Sequence, residues 1–239
     1  MTTAWEYLRA KELRVENKVA VCIPHIGTVP MEWAIKFKEL LLPEGSNIFL
    51  MRGAPIDVAR NQLVEIALEQ GFSWIFFMDA DVVLNRNAVL TLLSHRLPIV
   101  SGIYRAKKRE GFYWCAYVES EVEIDGKKVR KFLPVESFNG RLVRVDMVGM
   151  GATLIHADVF KFIRKRTDLP FFLWTKDRSE KELDKLGVPT ELRNLSEDFY
   201  FCRLAKLVGN FDIYVDTQVV GHHIGTLKLK EDGISVCDV

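Results

Sequence analysis

The chain has 239 residues, 49% hydrophobic and 27% charged, which suits one large globular domain but not two of comfortable size. Its 33 basic and 32 acidic residues leave a net charge of +1 at pH 7, which argues against a general nucleic-acid-binding protein. The four cysteines are widely spaced and form no CxxC pair, so they fit neither a disulfide scaffold nor a zinc site.

Residues 1–18 are polar and predict a lead-in helix or a loose tail. Their frequent charges leave no apolar core, so they do not fit a signal peptide. No apolar run reaches the 18 residues of a membrane-spanning helix. We therefore expect a soluble, cytoplasmic protein with reduced thiols.

The first half of the sequence alternates apolar, strand-like runs with stretches of helical periodicity. This alternation predicts parallel strands joined by right-handed crossovers through helices. We expect helices over 31–42, from an N-cap at Asp57 to Gly71, and over about 86–94. We expect strands over 19–23, 48–51, 74–78 and 99–103.

The second half of the sequence predicts more antiparallel structure. Asp125-Gly126 is a strong hairpin signal between alternating segments. A strand over 141–147 enters a glycine-bearing turn at Gly149 and Gly151, and a helix follows over 157–165. The charged segment 168–193 is expected to be a mobile loop with a helical turn. A helix with Ser196 at its N-cap and Gly209 past its end then precedes two strands, over 211–215 and 218–220.

Two carboxylates follow the most apolar strand. The run 74–78 predicts a strand buried on both faces, and Asp79 and Asp81 come directly after it. Ligands of open α/β sheets bind at the carboxyl ends of such strands. Ionised carboxylates in apolar surroundings need a cation or a donor-rich ligand, which a divalent ion holding a phosphate provides. The alternative is a surface turn with Asp81 capping a helix.

Arg60 and Asp198 are further candidates for chemistry, each at the start of a helix. A cation in the first helical turn opposes the macrodipole, so Arg60 predicts a negative partner, either the aspartate pair or a bound phosphate. Asp198 shares a helical face with apolar residues, and in a cleft it would serve as a general base. The alternatives are a solvated arginine and, for Glu197 and Asp198, simple helix-start electrostatics.

His222 and His223 follow a late strand, and adjacent residues there point to opposite sides, so at most one should face a cleft. A neutral imidazole would complete a metal shell begun by Asp81, although a structural role is the alternative. Gly149 and Gly151 allow close approach of the backbone to a ligand or to a partner strand. The GxGxxG fingerprint and the GxxxxGK[ST] phosphate loop are absent.

Taken in order, these motifs resemble those of nucleotide-sugar-dependent glycosyltransferases with the GT-A fold, and the family-two-like group in particular. The resemblance spans roughly residues 19–225 and implies an α/β fold with a mostly parallel Rossmann-like sheet, flanked by helices and accompanied by a smaller antiparallel element. Its matches are Pro24, AlaArgAsn at 59–61, AspAlaAsp at 79–81, the segment 145–155, SerGluAsp at 196–198 and His223.

The resemblance also implies one domain over 1–239, with a nucleotide-binding half (19–105), an acceptor-binding half (106–225) and a C-terminal tail (226–239). It implies Asp198, with Glu197, as the base of an inverting transfer, and Mn²⁺ or Mg²⁺ held by Asp79, Asp81 and His223. A retaining transfer is the alternative, because retaining enzymes share the fold and the metal motif. The implied donor-binding residues are Pro24, Asp57, Arg60, Asp79, Ala80 and Asp81, and the implied acceptor-binding residues are Gly149, Gly151 and Trp174.

The expected partners are a UDP- or GDP-sugar donor and a glycan, protein or lipid-linked acceptor, and a homodimer stays open. One position departs from the family pattern. The second strand of such proteins ends in an aspartate that contacts the nucleobase, whereas Arg52 and Gly53 stand there in this sequence.

Two other functions compete with transfer. The sequence DADVV and Ser101 resemble the first two motifs of haloacid-dehalogenase-type phosphatases, but two strand–helix units precede Asp79 and no second acidic motif follows. A non-catalytic domain that binds a nucleotide or a glycan is the other alternative.

Overall fold

The computed structural model describes residues 17–108, 111–124, 127–224, 226–230 and 233–237. Nearly all of the expected lead-in segment, and the predicted turn at Asp125-Gly126, lie outside these residues. None of the described helices combines the length and the apolar character needed to span a bilayer.

Strands and α-helices alternate through the first half and strands dominate the middle, as predicted. The strands are β1 Val19–His25, β2 Asn47–Arg52, β3 Trp74–Met78, β4 Val82–Leu84, β5 Ile99–Lys108, β6 Gly111–Trp114, β7 Ala116–Ile124, β8 Lys127–Pro134, β9 Leu142–Val145, β10 Met147–Val148, β11 Ala152–His156, β12 Ile213–His223, β13 Thr226–Lys230 and β14 Gly233–Cys237. The α-helices are α1 Met31–Glu39, α2 Ile56–Glu69, α3 Ala88–Ser94, α4 Ala157–Arg164, α5 Glu180–Lys185 and α6 Glu197–Gly209.

The central sheet has the order β2-β1-β3-β11-β5-β12-β4, with β6 also paired to β5 and β9 to β12. Strand β1 is parallel to β2 and β3, and β12 is parallel to β5. Strand β11 is antiparallel to both β3 and β5, so these two run in the same direction. A smaller antiparallel sheet has the order β10-β7-β8. The predicted mixed α/β fold, with a mostly parallel central sheet and a smaller antiparallel element, is confirmed.

Strand β3 lies between two hydrophobic layers, which explains why its sequence is apolar throughout. Successive side chains of a strand point to opposite faces. On one face, Ile75 and Phe77 pack with buried residues of α2, α4 and α6. On the other face, Trp74, Phe76 and Met78 pack with α1 and α3. Because both layers bury β3, its carboxyl end is a fixed position for the aspartates that follow.

Several boundaries differ from the predictions. The N-cap of α2 is Pro55, so Asp57 lies inside the first turn. Gly209 belongs to α6, and Asn210 closes that helix in the left-handed conformation at φ 49°, which asparagine tolerates. The two expected late strands form one strand, β12, with an irregularity between Asp216 and Val220.

Two segments carry more regular structure than predicted. The expected C-terminal tail contains the β13–β14 hairpin. The segment 168–193 contains α5, which begins with a reciprocal capping box between Ser179 and Glu182, and a 3₁₀ turn over Thr190–Leu192.

Candidate active site

A cleft of about 260 Å³ opens at the carboxyl ends of β1 and β3, beside the first turns of α2 and α6 and the end of β12. These are the strand ends at which open α/β sheets bind their ligands. The cleft has an acidic end and an apolar end. Its lining residues are Pro24, His25, Ile26, Thr28, Pro30, Ile56, Arg60, Asp79, Ala80, Asp81, Glu197 and His223.

The backbone around Asp79 is held by hydrogen bonds from three directions. Its amide donates to the carbonyl of Gly151 at 3.3 Å, and its carbonyl accepts from the indole of Trp33 at 3.0 Å and from the amide of Val82 at 3.1 Å. The turn that carries Asp79 and Asp81 is therefore positioned by α1, β4 and the segment before β11.

Arg60 is 2% exposed and lies between two carboxylates. Its Nη2 donates to Oδ1 of Asp79 at 2.9 Å, and its Nε donates to Oε1 of Glu197 at 3.3 Å. Burial alone would lower the pKa of Arg60, but the nearby charges of Asp79 and Glu197 raise it above the usual value. Its third nitrogen, Nη1, is buried without a hydrogen-bond partner among the described residues. A buried unsatisfied donor of this kind is costly, which makes Nη1 a candidate ligand contact.

The two acids at the start of α6 have different surroundings. Glu197 lines the cleft, and burial, together with the charge of Asp198, raises its pKa to about 7. Asp198 is partly buried and is not among the cleft-lining residues. Its Oδ1 accepts hydrogen bonds from the Ser196 hydroxyl and from the amide of Phe199, the latter at 2.8 Å. Burial raises the pKa of Asp198, and the Ser196 hydrogen bond partly offsets this rise.

Asp81 and His223 meet at the other side of the cleft, where Oδ2 lies 3.5 Å from Nδ1. Their backbones are tied together, because β4 pairs with β12 and the amide of Ile224 donates to the carbonyl of Asp81 at 2.8 Å. Of the two adjacent histidines, only His223 is among the lining residues, while His222 pairs with Val83 in the ladder.

This donor pair fits a divalent cation. Two neighbouring ligands of an octahedral ion, each about 2.1 Å from it, lie about 3 Å apart, close to the separation of Asp81 and His223. The described ranges contain no group of three or more His, Cys, Asp or Glu side chains that would hold an ion. A ligand and water would have to complete the shell, since the Asp79 carboxylate accepts from Arg60.

Five of the predicted residues lie outside the cleft lining, namely Asp198, Asp57, Trp174, Gly149 and Gly151. Asp57 is buried and accepts from the amides of Val58 at 2.9 Å and Trp174 at 3.1 Å, so it fixes the start of the segment before α5. Trp174 donates from its indole to Asp177 at 2.8 Å. Gly149 and Gly151 both lie against the side chain of Tyr104.

Gly149 and Gly151 provide space for Tyr104. The Gly151 amide donates to the Tyr104 hydroxyl at 3.0 Å. A Cβ on Gly151 would lie 2.9 Å from Cζ of Tyr104 and 3.0 Å from Oδ2 of Asp79, and a Cβ on Gly149 would overlap the Tyr104 hydroxyl. The close approach predicted from these glycines therefore occurs against a side chain.

Sequence reasoning missed the apolar end of the cleft. Its residues are His25 at the end of β1, Ile26, Thr28 and Pro30 in the segment after it, and Ile56 at the start of α2. The available signal was positional, since this segment directly follows Pro24 at the carboxyl end of a buried strand.

Neither a family model nor a curated protein matches the sequence. Solved structures do match the fold. A197 from STIV matches with a TM-score of 0.56 and 17% sequence identity, over 93% of this chain and 95% of that chain. GalNAc-T7, crystallised with UDP, GalNAc and Mn²⁺, matches with a TM-score of 0.52 and 11% identity, over 88% of this chain and 44% of that chain.

The protein therefore has the GT-A fold, the fold of nucleotide-sugar glycosyltransferases such as GalNAc-T7. This chain spans less than half of the GalNAc-T7 chain, and the similarity is one of fold.

Proposed function

We propose that this protein is a metal-dependent glycosyltransferase that moves a sugar from a nucleoside-diphosphate sugar to an acceptor hydroxyl, with inversion at the transferred carbon. The observation that carries the proposal is the convergence of Asp79, Asp81, Arg60, Glu197 and His223 on one cleft at the carboxyl edge of a GT-A sheet. Asp79 and Asp81 lie between β3 and β4, and the other three residues lie in α2, α6 and β12. The tertiary fold therefore brings together residues that are distant in the sequence.

The acidic end of the cleft is the proposed site of the donor diphosphate. Asp81 and His223 would hold Mn²⁺ or Mg²⁺, which supplies Lewis-acid stabilisation of the charge that develops on the departing diphosphate. Arg60 contributes a charge-assisted hydrogen bond from Nη1, its nitrogen without a partner among the described residues. Asp79 positions Arg60 through their ion pair and contacts the donor beside it.

The apolar end of the cleft is the proposed site of the nucleoside. Pro24, Ile26 and Ile56 give a water-poor surface, and Ala80 leaves space between the two aspartates. Asp57 has an indirect role in the proposed site, because it accepts a hydrogen bond from the Trp174 amide and so holds the segment 174–195 against α2.

Asp198 is the proposed general base. It removes the proton of the acceptor hydroxyl while that oxygen forms its bond to the sugar and the bond to the diphosphate breaks. The Ser196 hydroxyl and the Phe199 amide orient its carboxylate. Glu197 does not share this role, because Arg60 holds it as a positioning partner.

The proposed acceptor region includes Trp114, over whose ring the guanidinium of Arg105 stacks at 4.6 Å. Gly149 and Gly151 shape the region by admitting Tyr104. Trp174 is the further candidate, and the acceptor is a glycan, a protein or a lipid-linked sugar.

A transfer assay tests the proposal. The purified protein is incubated with Mn²⁺, a panel of UDP- and GDP-sugars and a set of glycan acceptors, and release of nucleoside diphosphate is measured. We expect release with at least one donor, a loss of about 10²–10⁴-fold for Asp198→Asn and donor affinity unchanged by that variant. Nucleotide binding with neither transfer nor donor hydrolysis by the wild type would favour the non-catalytic binding domain.

The phosphatase alternative has its own test. It requires a covalent phosphate on Asp79, whose carboxylate here accepts from Arg60 and follows the third strand of the sheet. Trapping an aspartyl-phosphate at Asp79 would overturn the transferase proposal.

A further inference from the structure

The guanidinium of Arg52 lies at the rim of the cleft, packed over Gly27. A Cβ built on Gly27, whose φ is +123°, would lie 2.9 Å from Nε and 3.0 Å from Nη2 of Arg52. Ile26 and Thr28, the neighbours of Gly27, both line the cleft. The only residue type that combines this backbone conformation with such close approach is glycine, so the loop after β1 is shaped to accept this arginine.

Arg52 has no side-chain hydrogen bond or ion pair with any residue that the structure describes, although its side chain carries five N–H donors. Arg60, by contrast, contacts two carboxylates. The donors of Arg52 at the rim are therefore available to a ligand.

The register of the sheet sets the distance between Arg52 and the acidic end. Arg52 pairs with His25 on β1, and β1 lies between β2 and β3. Two inter-strand spacings put the end of β2 about 10 Å from the end of β3, where Asp79 follows. A nucleoside attached to a diphosphate at Asp81 can span this distance along the apolar lining, with the edge of its base toward Arg52.

We infer that Arg52 selects guanine, so that the donor of the proposed transfer is a GDP-sugar. A guanidinium forms two parallel hydrogen bonds with the adjacent acceptors O6 and N7 of guanine. Adenine presents N7 beside an amino donor, and uracil separates its carbonyl oxygens by an N–H group, so neither base offers the same adjacent pair. Cytosine offers the adjacent acceptors O2 and N3, but O2 lies next to the glycosidic nitrogen, so this pair faces the sugar side of the base, whereas O6 of guanine lies at the far side. The inference rests on the proposed function, because it takes the cleft to be a nucleotide site.

Calorimetric titration with GDP, UDP, CDP and ADP in the presence of Mn²⁺ tests the inference on the wild type and on Arg52→Ala and Arg52→Lys. We expect GDP to bind the wild type more tightly than the other three by roughly 5- to 150-fold, the discrimination that a bidentate arginine–guanine contact provides. Arg52→Ala should lose this preference and keep a common residual affinity. Arg52→Lys should keep only part of it, since lysine lacks the planar fork.

The matched control is Arg166→Ala, an exposed arginine outside the cleft lining, which should leave all four affinities unchanged. Circular dichroism shows whether each variant is folded. Wild-type binding of UDP, CDP or ADP as tightly as GDP, or an equal weakening of all four nucleotides by Arg52→Ala, would overturn this inference and leave the transferase proposal standing. Binding of none of the four would overturn both.

Discussion

Oδ2 of Asp81 and Nδ1 of His223 lie 3.5 Å apart, although Asp81 belongs to the first half of the chain and His223 lies near the end of the described residues. The approach is produced by backbone pairing, because β4 begins one residue after Asp81 and is hydrogen-bonded to the end of β12. The hydrogen-bonded pairing of β4 with β12 thereby holds two potential metal ligands next to each other.

We predict that Asp81→Ala and His223→Ala each abolish the additional thermal stabilisation that Mn²⁺ gives in the presence of a nucleoside diphosphate. A ligand that binds only the folded state raises its melting temperature, and each variant removes one of the two protein donors. His222→Ala is the control, since His222 is not among the lining residues. An unchanged Mn²⁺-dependent shift in Asp81→Ala would contradict the assigned site.

We predict that at pH 8, above the pKa of about 7 for Glu197, Arg60→Met lowers the free energy of unfolding by about 3 kcal/mol, because it leaves the ionised Glu197 buried without its positive partner. Urea denaturation provides the measurement. The double variant Arg60→Met/Glu197→Gln should be less destabilised than the sum of the two single variants, since the second change removes the unpaired charge. Strict additivity would show that Arg60 and Glu197 are not coupled.

We predict that stability falls with rising pH because of Glu197. Its pKa is about 7 in the folded protein and 4.5 as the ordinary value, so the folded state binds the extra proton between these pH values. The free energy of unfolding then decreases as pH rises through this window. Urea denaturation from pH 4.5 to 7.5 should show a flatter dependence in Glu197→Gln, whereas the exposed control Glu39→Gln should follow the wild type. Identical slopes in all three proteins would refute the assignment.

We predict that Ser196→Ala moves the acidic limb of the pH–rate profile to higher pH. The Ser196 hydroxyl donates to the Asp198 carboxylate and stabilises its ionised form, so its removal raises the pKa of Asp198 and lowers the fraction of active base at a given pH. Initial transfer rates between pH 5 and 9 give the profile. A uniform decrease without displacement of the limb would mean that Asp198 is not the titrating base.

We predict that Gly149→Ala destabilises the protein by about 1–3 kcal/mol through overlap with the Tyr104 hydroxyl. Tyr104→Phe removes that hydroxyl at the cost of its hydrogen bond from the Gly151 amide. The double variant Gly149→Ala/Tyr104→Phe should therefore be less destabilised than the sum of the two single variants, as measured by thermal unfolding.

Strand β3 shows what could be predicted from sequence. Its bounds, 74–78, agree with the prediction, because five successive apolar residues end where the two aspartates begin. Arg60 was also predicted to have a negative partner from its position in a helix, and Asp79 is that partner. Local rules suffice where the cause of a feature lies within one element.

Contacts between distant segments were not predictable in the same way. Periodicity placed Asp198 on the buried face of α6, yet Glu197 is the more buried of the two, because Arg60 of α2 pairs with it. The irregularity that divides β12 surrounds Asp216, which is fully buried and accepts from His95 and Arg141. In both cases the deciding partner is a charged residue from another part of the chain.

The ladder between β4 and β12 has a consequence for protein engineering. Asp81 and His223 are held by the main-chain pairing of β4 with β12, and neither of these strands pairs with the separate β10-β7-β8 sheet. Exposed positions of β8 and α5 can therefore be changed in protein engineering without altering the main-chain pairing that sets the spacing of these two side chains.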